Sequence, residues 1–349
     1  MAKNIVGIDI SANGIRAVEL SDVSKARPTI VRHHEVALPA GAVSRGEVLE
    51  PRTVAAAIKQ LWSGGGFKTK DVVLGIGNSR VLVRDLSVPK MSLRRIRESL
   101  PFQVQDMLPF PTEDALLDFY PISDGTSEGS PIVNGLLVAA VKGAVMGNVN
   151  AVQLAGLNPV EVDLVPFALS RVLLRGDSAT GTTTVIDVGG TTTTLVVSAN
   201  GVPQFVRIIP TGGDDLTNAL STRLNISVEE AEVVKRTIGM SLSEADPEKH
   251  DAAAVMFEVT RELITSLRNT LTYFAGARQV DVVGKIVLTG GGSQLSGFGE
   301  ALAEFTRLPV SVGTPFDTFA LGRRLDREAL QRQSRSLTVA LGLAMGRAA

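Results

Sequence analysis

Two stretches of the sequence, residues 8–18 and 186–196, repeat one pattern. In each stretch an apolar strand ends in an aspartate, and a turn of small residues then leads into a second β-prone strand. Asp9 and Asp187 occupy the same place in the two copies. The pattern is typical of a β-hairpin. Because 349 residues exceed the usual length of one domain, the repeat predicts two related β-rich cores.

The composition excludes several classes of function. Hydrophobic residues make up 44% of the chain and 35 basic residues nearly balance 36 acidic ones, so neither a disordered chain nor a general nucleic-acid binder is expected. No cysteine and only three histidines are present, which excludes thiolate chemistry and leaves little for zinc. The apolar stretch 337–345 is about half the roughly 18 residues of a membrane-spanning helix. We expect a core helix there, a cytosolic location, and contact with a membrane only through a partner.

Between the two repeats the spacing of the apolar residues changes, which predicts a small α+β insert over residues 88–165. Apolar residues recur there first at helical and then at strand spacing. The predicted elements are a helix capped by Ser92 and kinked at Pro101, strands at 118–122, 136–141 and 160–164, a polar turn at 123–130 and a helix ending at Gly156.

The second half continues from its hairpin into mostly helical sequence. Residues 228–238 and 255–274 carry the helical period, and the turn 211–216 is predicted to start a helix. A strand at 285–288 leads into the glycine-rich segment 289–293, which is predicted to open a helix. The chain is therefore expected to be an α/β protein with two cores, each carrying an insert.

The small-residue turns are the best candidates for chemistry. Backbone N–H groups at such turns form an anion-binding concavity that larger side chains would obstruct. Asp9 and Asp187 precede two of these turns, where a carboxylate can hold Mg²⁺ through water. Taken singly, each turn could equally be structural, and Glu232 with Lys235 could be an ordinary surface ion pair on one helix face. The order of the motifs is more specific than any one of them.

That order resembles the superfamily of actin, sugar-kinase and heat-shock-chaperone ATPases. The resemblance implies an actin-like, ribonuclease-H-like fold of two lobes that binds ATP, with Mg²⁺ held near Asp9 and Asp187. The implied nucleotide contacts are Ser11, Asn13 and Gly14 in a first phosphate loop, Gly189, Gly190, Thr191 and Thr192 in a second, Gly212, Gly213 and Asp214 in a ribose-side turn, Glu232 and Lys235 beside ribose and adenine, and Gly290, Gly291, Gly292 and Ser293 in an adenosine loop.

Within this superfamily the insert resembles that of the FtsA family and, more closely, that of the type IV pilus assembly protein PilM family. The similarity rests on the helix and Pro-Phe-Pro turn at 102–111, on Leu-Asp-Phe at 117–119, and on segments 138–141, 162–163 and 339–344. Two positions depart from the family pattern. Arg16 stands where many relatives carry lysine, and the first loop reads Ser11-Ala12-Asn13 rather than a Gly-Ser-Ser type.

The resemblance implies a division of the chain and a function. The first lobe would comprise 1–87, 166–181 and 317–349, the second lobe 182–212 and 282–316, and the helical insert 213–281. The function implied is that of a cytoplasmic ATP-binding scaffold of the pilus inner-membrane platform, with the N-terminal cytoplasmic peptide of PilN as partner. Contacts with other platform proteins are also implied, self-association is left open, and no catalytic residue is assigned. An FtsA-like filament former and a small-metabolite kinase are the alternatives.

The insert is the expected partner surface. A chain without an anchor of its own reaches the membrane through another protein, and a short tail binds well to an apolar groove or a sheet edge. Segments 136–141 and 160–164 are predicted to offer such an edge, and the turn 107–110 to offer apolar anchors.

Overall fold

The computed structural model describes residues 4–240, 247–277, 282–323 and 325–346. Strands and helices follow the periods of two and 3.6 in the apolar pattern. Helix α1, for example, has Pro51 at its first position and ends before Gly66, which adopts left-handed φ of 64°. The elements up to residue 173 are β1 (Ile5–Ser11), β2 (Gly14–Ser21), β3 (Thr29–Ala37), β4 (Val43–Ser44), β5 (Glu47–Val48), α1 (Pro51–Gly65), β6 (Asp71–Ile76), β7 (Val81–Pro89), α2 (Leu93–Gln103), β8 (Ala115–Ser127), β9 (Ser130–Val141), α3 (Lys142–Leu154), β10 (Asn158–Leu164) and α4 (Val165–Leu173).

The rest of the chain contains the second repeat and the helical insert. The predicted helix 228–238 is confirmed at those bounds. The elements are β11 (Thr182–Val188), β12 (Thr193–Ala199), β13 (Val202–Ile209), α5 (Gly213–Leu224), α6 (Val228–Ile238), α7 (Pro247–Ala277), β14 (Lys285–Thr289), α8 (Phe298–Thr306), β15 (Val310–Val312), β16 (Ala320–Leu321), α9 (Arg327–Arg332) and α10 (Ser334–Ala344).

The two repeats head two sheets with the same plan. The first sheet has the order β10-β6-β1-β2-β3-β16, and the second has the order β13-β12-β11-β14-β15. In both, an antiparallel hairpin is extended by a third antiparallel strand on one side and by two parallel strands on the other. Strand β1 thus corresponds to β11, and β10 corresponds to β15. The predicted duplication is confirmed at the level of topology.

Helices α4 and α10 join the sheets through one apolar core. Helix α10 packs on β1, β2 and β6, α4 packs on β11, β12 and β13, and the two helices pack on each other. Residues Leu337–Ala344 are all buried, so the prediction of a core helix is confirmed. The backbones approach closely, since a Cβ added at Gly7 would lie 2.1 Å from the carbonyl oxygen of Ala340. A Cβ added at Gly342 would lie 2.2 Å from that of Ala168.

The insert is a separate sheet with the order β7-β9-β8, covered by α2. Its own apolar core includes Val88, Ile96, Leu100 and Phe119. This sheet begins at Val81, before the predicted boundary at 88. At the other end α3 packs on α1 and β10 pairs with β6 of the first sheet, so the final part of 88–165 belongs with the first lobe. A strand's partner is set by long-range pairing, which local periodicity does not report.

The hairpin β8–β9 is longer than predicted. The polar segment 123–130, expected to be a turn, stays paired as far as Ser127 opposite Ser130. Only Glu128 and Gly129 form the turn, with φ of 51° and 79°. Two successive positive φ values are typical of the tight hairpin turn that matches strand twist.

The helical insert of the second lobe packs α5, α6 and α7 around a small core that includes Leu216, Leu220 and Met256. Helix α6 begins with a capping box, in which Ser227 accepts from the N–H of Glu230 and Glu230 accepts from that of Ser227. The predicted boundaries at residues 1, 281 and 349 lie outside the described residues. Within the described ranges, no helix combines the length and apolar character needed to cross a membrane.

Candidate functional site

A cleft of about 590 Å³ lies where the turns of the two hairpins face each other. Ligand pockets of this kind span about 300–1,000 Å³. The cleft brings together most of the residues that the sequence pointed to. Its lining includes Asp9, Ser11, Asn13, Asp187, Gly189, Gly190, Thr191, Thr192, Gly213, Asp214, Glu232, Lys235, Gly290, Gly291 and Gly292.

The first hairpin turn presents polar groups held in place by Arg16. Its guanidinium donates to Ser11 Oγ at 2.9 Å and lies 3.7 Å from Asp9 and 3.4 Å from Glu35. Ser11 Oγ in turn donates to the carbonyl oxygen of Gly14 at 3.0 Å. The first turn therefore carries a fixed positive charge beside the cleft in addition to its backbone groups.

The second hairpin turn sits directly opposite the first. Its N–H at Gly189 donates to the Thr192 carbonyl oxygen at 2.9 Å, which closes the turn. A Cβ added at Gly190 would lie 2.9 Å from Asn13 Nδ2 and 3.0 Å from Asp214 Oδ2. A side chain at position 190 would thus require the side chains of Asn13 and Asp214 to shift.

The turn at residues 212–214 is bonded to the second hairpin turn. The N–H groups of Gly213 and Asp214 donate to the carbonyl oxygens of Gly189 and Gly190 at 2.9 and 2.7 Å. Gly212 lies beneath this contact, since a Cβ there would come within 2.4 Å of the Gly190 carbonyl oxygen. These bonds make the two turns of the second lobe one rigid unit.

Glu232 and Lys235 lie side by side in the lining of the cleft. Lys235 Nζ lies 2.6 Å from Glu232 and donates to Gly213 O at 3.1 Å and to Thr217 Oγ1 at 2.7 Å. Burial alone would raise the pKa of Glu232, but hydrogen bonds from Lys235, Arg236 and Thr217 outweigh it and lower the pKa to about 2. Glu232 therefore stays ionised, and the pair is tied to the first turn of α5 rather than exposed.

The glycine-rich segment 289–293 forms a 3₁₀ turn at 291–294, not the start of an α-helix as predicted; α8 begins only at Phe298. Gly290 has φ of 85°, and a Cβ there would lie 2.7 Å from Asp187 Oδ1. Beside Gly291 the space is open. Positive φ at Gly290 turns the chain sharply at the strand end, and the resulting bare backbone faces the cleft.

Asp9 and Asp187 form the electrostatic centre of the cleft. Burial raises the pKa of Asp9, and the charge of Arg16 acts against the rise. Burial and the neighbouring carboxylate of Asp9 raise the pKa of Asp187 to about 7, again against Arg16. Across the described residues no cluster of three or more His, Cys, Asp or Glu side chains could hold a metal ion. Two adjacent carboxylates in a water-accessible cleft nevertheless fit Mg²⁺, which keeps most of its water shell.

Three predicted residues lie behind the lining rather than in it. Gly14 faces the Val36 carbonyl oxygen of β3, Gly212 supports Gly190, and Ser293 Oγ donates to Gly290 O at 2.7 Å. The cleft also contains side chains that the sequence analysis did not assign to it: Arg16, Leu216, Arg236, Gln294, Arg335, Ser336 and Val339. Arg16 was visible as a departure from the family pattern, whereas nothing in the local sequence marks the others.

The sequence matches the family described as Type IV pilus assembly protein PilM over residues 7–348. Among solved structures, it is similar to the "PilM-PilN type IV pilus biogenesis complex", with 30% identity and a TM-score of 0.84. That match covers 98% of this chain and 97% of the other.

More distant matches are to actin-like proteins. Cell division protein FtsA of Bacillus subtilis is 24% identical over 80% of this chain and 72% of its own length, and that of Pseudomonas aeruginosa is 24% identical over 91% and 85%. A structure of MreB 5 of Spiroplasma citri bound to AMPPNP has a TM-score of 0.55 at 12% identity, covering 99% of this chain and 96% of the other. The expected actin-like α/β fold is confirmed.

We predict that ligand-free stability falls as pH rises between about 4 and 7. Asp187 has a pKa of about 7 in the fold and an ordinary value near 3.9 when unfolded, so the folded state binds more protons in that window. The stabilisation that depends on the neutral carboxyl of Asp187 is fully present below pH 4 and is lost as the pH rises through 7. Urea unfolding at pH 5, 6 and 8 without Mg²⁺ measures it.

Asp187→Asn should flatten this profile, because the amide stays neutral at every pH. Each pKa unit corresponds to about 1.4 kcal/mol, so at pH 8 the variant should be more stable than the parent by on the order of 1 kcal/mol or more. Asp177→Asn, at an exposed position before β11, is the matched control and should keep the parental slope. Parallel profiles for the parent and Asp187→Asn would contradict the assignment.

Proposed function

Because the chain belongs to the type IV pilus assembly protein PilM family, we propose that it is an ATP-binding scaffold of the pilus inner-membrane platform. In this proposal it lies in the cytoplasm and is held at the membrane by the N-terminal cytoplasmic peptide of a PilN protein. The observation that carries the proposal is the likeness to the PilM-PilN complex over nearly the whole of both chains.

The geometry of the cleft supports the nucleotide part of the proposal. The first and second hairpin turns offer small residues and backbone groups to phosphates, and Arg16 adds a cation beside them. Asp9 and Asp187 would hold Mg²⁺ through water, and the ion would neutralise phosphate charge. Glu232, Lys235 and the bare backbone of Gly291 also line the cleft, and a nucleoside would lie against them.

Asp187→Ala should weaken ATP binding in the presence of Mg²⁺ by at least about tenfold, which is 1.4 kcal/mol. The substitution removes one of the two carboxylates that would organise the ion. Calorimetric titration measures the affinity, and the rise in melting temperature with saturating nucleotide gives a second readout. Asp177→Ala serves as the control. An unchanged affinity in Asp187→Ala would remove the magnesium assignment.

Glu232→Ala and Lys235→Ala should each weaken ATP binding by roughly tenfold and reduce the preference for ATP over GTP, as expected for lost charge-assisted hydrogen bonds. Glu229→Ala is the matched control, because Glu229 is exposed on the same helix and lies outside the cleft lining. If both variants bind nucleotides like the parent, the pair has only a structural role.

One of the two strand edges predicted to bind a partner peptide is not free in the structure. Segment 136–141 lies in β9, which pairs with β7 on one side and β8 on the other, so it offers no free edge. Strand β10 stands at the end of the first sheet, and among the described strands it pairs only with β6. In the turn 107–110, Met107 and Leu108 pack against the insert core, whereas nearby Phe102 is 86% exposed.

We therefore assign the partner peptide to the outer edge of β10, beside the insert. The first lobe and the insert meet there through a small apolar cluster that joins Ile76, Val145 and Leu164 of the first lobe to Ala140 of the insert. An extended peptide added to a sheet edge gains backbone hydrogen bonds and places alternate side chains against such a surface. Val160, 55% exposed on β10, would lie under it.

Val160→Glu should weaken binding of the PilN N-terminal peptide by at least about tenfold, since a charge placed beneath a bound peptide opposes its apolar contacts. Val312→Glu is the matched control: Val312 is 48% exposed on β15, the equivalent edge strand of the second sheet. Titration calorimetry with the full chain compares the two. Equal affinities for both variants would place the peptide elsewhere.

A further inference from the structure

The hairpin β4–β5 projects from the first lobe and contacts the second. Val43 pairs with Val48, and Arg45 and Gly46 form the turn with φ of 47° and 80°. This conformation directs the turn toward the cleft, where Gly46 is part of the lining. The hairpin was not singled out by the sequence analysis, and the proposed function assigns it no role.

The tip of the hairpin contacts the turn 210–215 of the second lobe. Arg45 donates to the Pro210 carbonyl oxygen at 2.8 Å and lies 3.7 Å from Asp215. Asn13 of the first lobe makes a second contact with the same turn, to Asp214 Oδ1 at 3.4 Å. The turn 210–215 therefore touches the first lobe at two points and forms part of the cleft wall.

The hairpin is also fixed to the segment that leads into the insert sheet. Asn78 Nδ2 donates to Gly46 O at 3.3 Å, and Arg80 lies 3.0 Å from Glu47. Asn78 is only 2% exposed, so this contact is enclosed.

The two residues that hold the hairpin, Asn78 and Arg80, are bonded in turn to the insert sheet. The carbonyl oxygen of Asn78 accepts from the N–H of Val81, the first residue of β7, at 3.1 Å. The carbonyl oxygen of Arg80 accepts from the N–H of Val141, the last residue of β9, also at 3.1 Å. Hydrogen bonds and the short chain segments between them therefore link the cleft wall to the end of the insert sheet where β9 finishes.

We propose that the β4–β5 hairpin couples nucleotide binding in the cleft to the insert, with Arg45 as the contact that senses closure of the lobes. The inference rests on the proposed nucleotide site. A ligand gripped by both lobes draws the turn 210–215 toward the first lobe and holds Arg45 on Pro210 and Asp215. Through the bonds of Asn78 and Arg80, the same restraint acts on β7 and β9. Packed elements of this kind switch between discrete arrangements rather than deform continuously.

Hydrogen exchange of the full chain, with and without saturating ATP and Mg²⁺, tests the coupling. In the parent, nucleotide should slow amide exchange at the start of β7 and the end of β9 by at least about threefold, within the usual range of coupling between sites. Arg45→Ala and Glu47→Ala, which break the two ends of the connection, should abolish that slowing. Their ATP affinities should stay within about threefold of the parent.

Two further variants separate coupling from general damage. Arg52→Ala removes an exposed arginine from the following helix and should behave like the parent. Arg45→Lys keeps a cationic donor and should restore most of the response. Glu47→Ala tests the connection independently if Arg45→Ala fails to fold.

The possible failures are distinguishable. If the parent shows neither a thermal shift nor cleft protection with ATP, the proposed function fails and the coupling with it. If ATP binds but the insert does not respond, or responds equally in Arg45→Ala, the coupling alone is overturned. Loss of ATP binding in Arg45→Ala would also overturn it, because Arg45 would then belong to the nucleotide site itself.

Discussion

The close approach of α10 to β1 sets the geometry of the molecule. Gly7 lets the helix backbone lie against the strand, and Asp9 follows two residues later at the cleft. The same helix places Thr338 Oγ1 3.2 Å from Thr289 Oγ1, at the strand end where the glycine-rich turn begins. One buried helix thus positions the first hairpin of one lobe and the glycine turn of the other. A shift of α10 would alter both walls of the cleft together.

The two carboxyl groups in the cleft lower the stability of the folded protein when they are ionised and no ligand is bound. Asp9 and Asp187 are half-buried near each other with one cation, Arg16, beside them, and both carboxyl pKa values are raised. Carboxylates perturbed in this way mark functional sites more often than structural ones. Glu232 differs from these two residues, because hydrogen bonds from three donors stabilise its ionised form and lower its pKa. A bound cation would therefore change the electrostatics of the cleft most beside Asp9 and Asp187.

Most of the residues that the sequence grouped together line one cleft, whereas the sheet membership of the insert was not predicted. The two hairpins and the helix 228–238 are local structures, and local spacing reports them. Strand β10 pairs with a strand more than eighty positions earlier in the chain, from Asn158 opposite Asp71, which periodicity cannot reveal. Arg45 meets a carbonyl 165 positions away, so no motif around it could have indicated its contact.

Duplication explains why the two lobes resemble each other, and the inserts explain why they differ in use. Strands β10 and β15 end equivalent sheets, yet only β10 has the insert sheet beside it. The hairpin β4–β5 likewise belongs to the first lobe, between its third strand and the insert that follows. The proposed partner surface and the proposed connection to the cleft therefore lie in the same lobe. The shared core positions the two hairpin turns of the cleft, and the asymmetric additions supply the surfaces that the proposals assign to the partner and to the coupling.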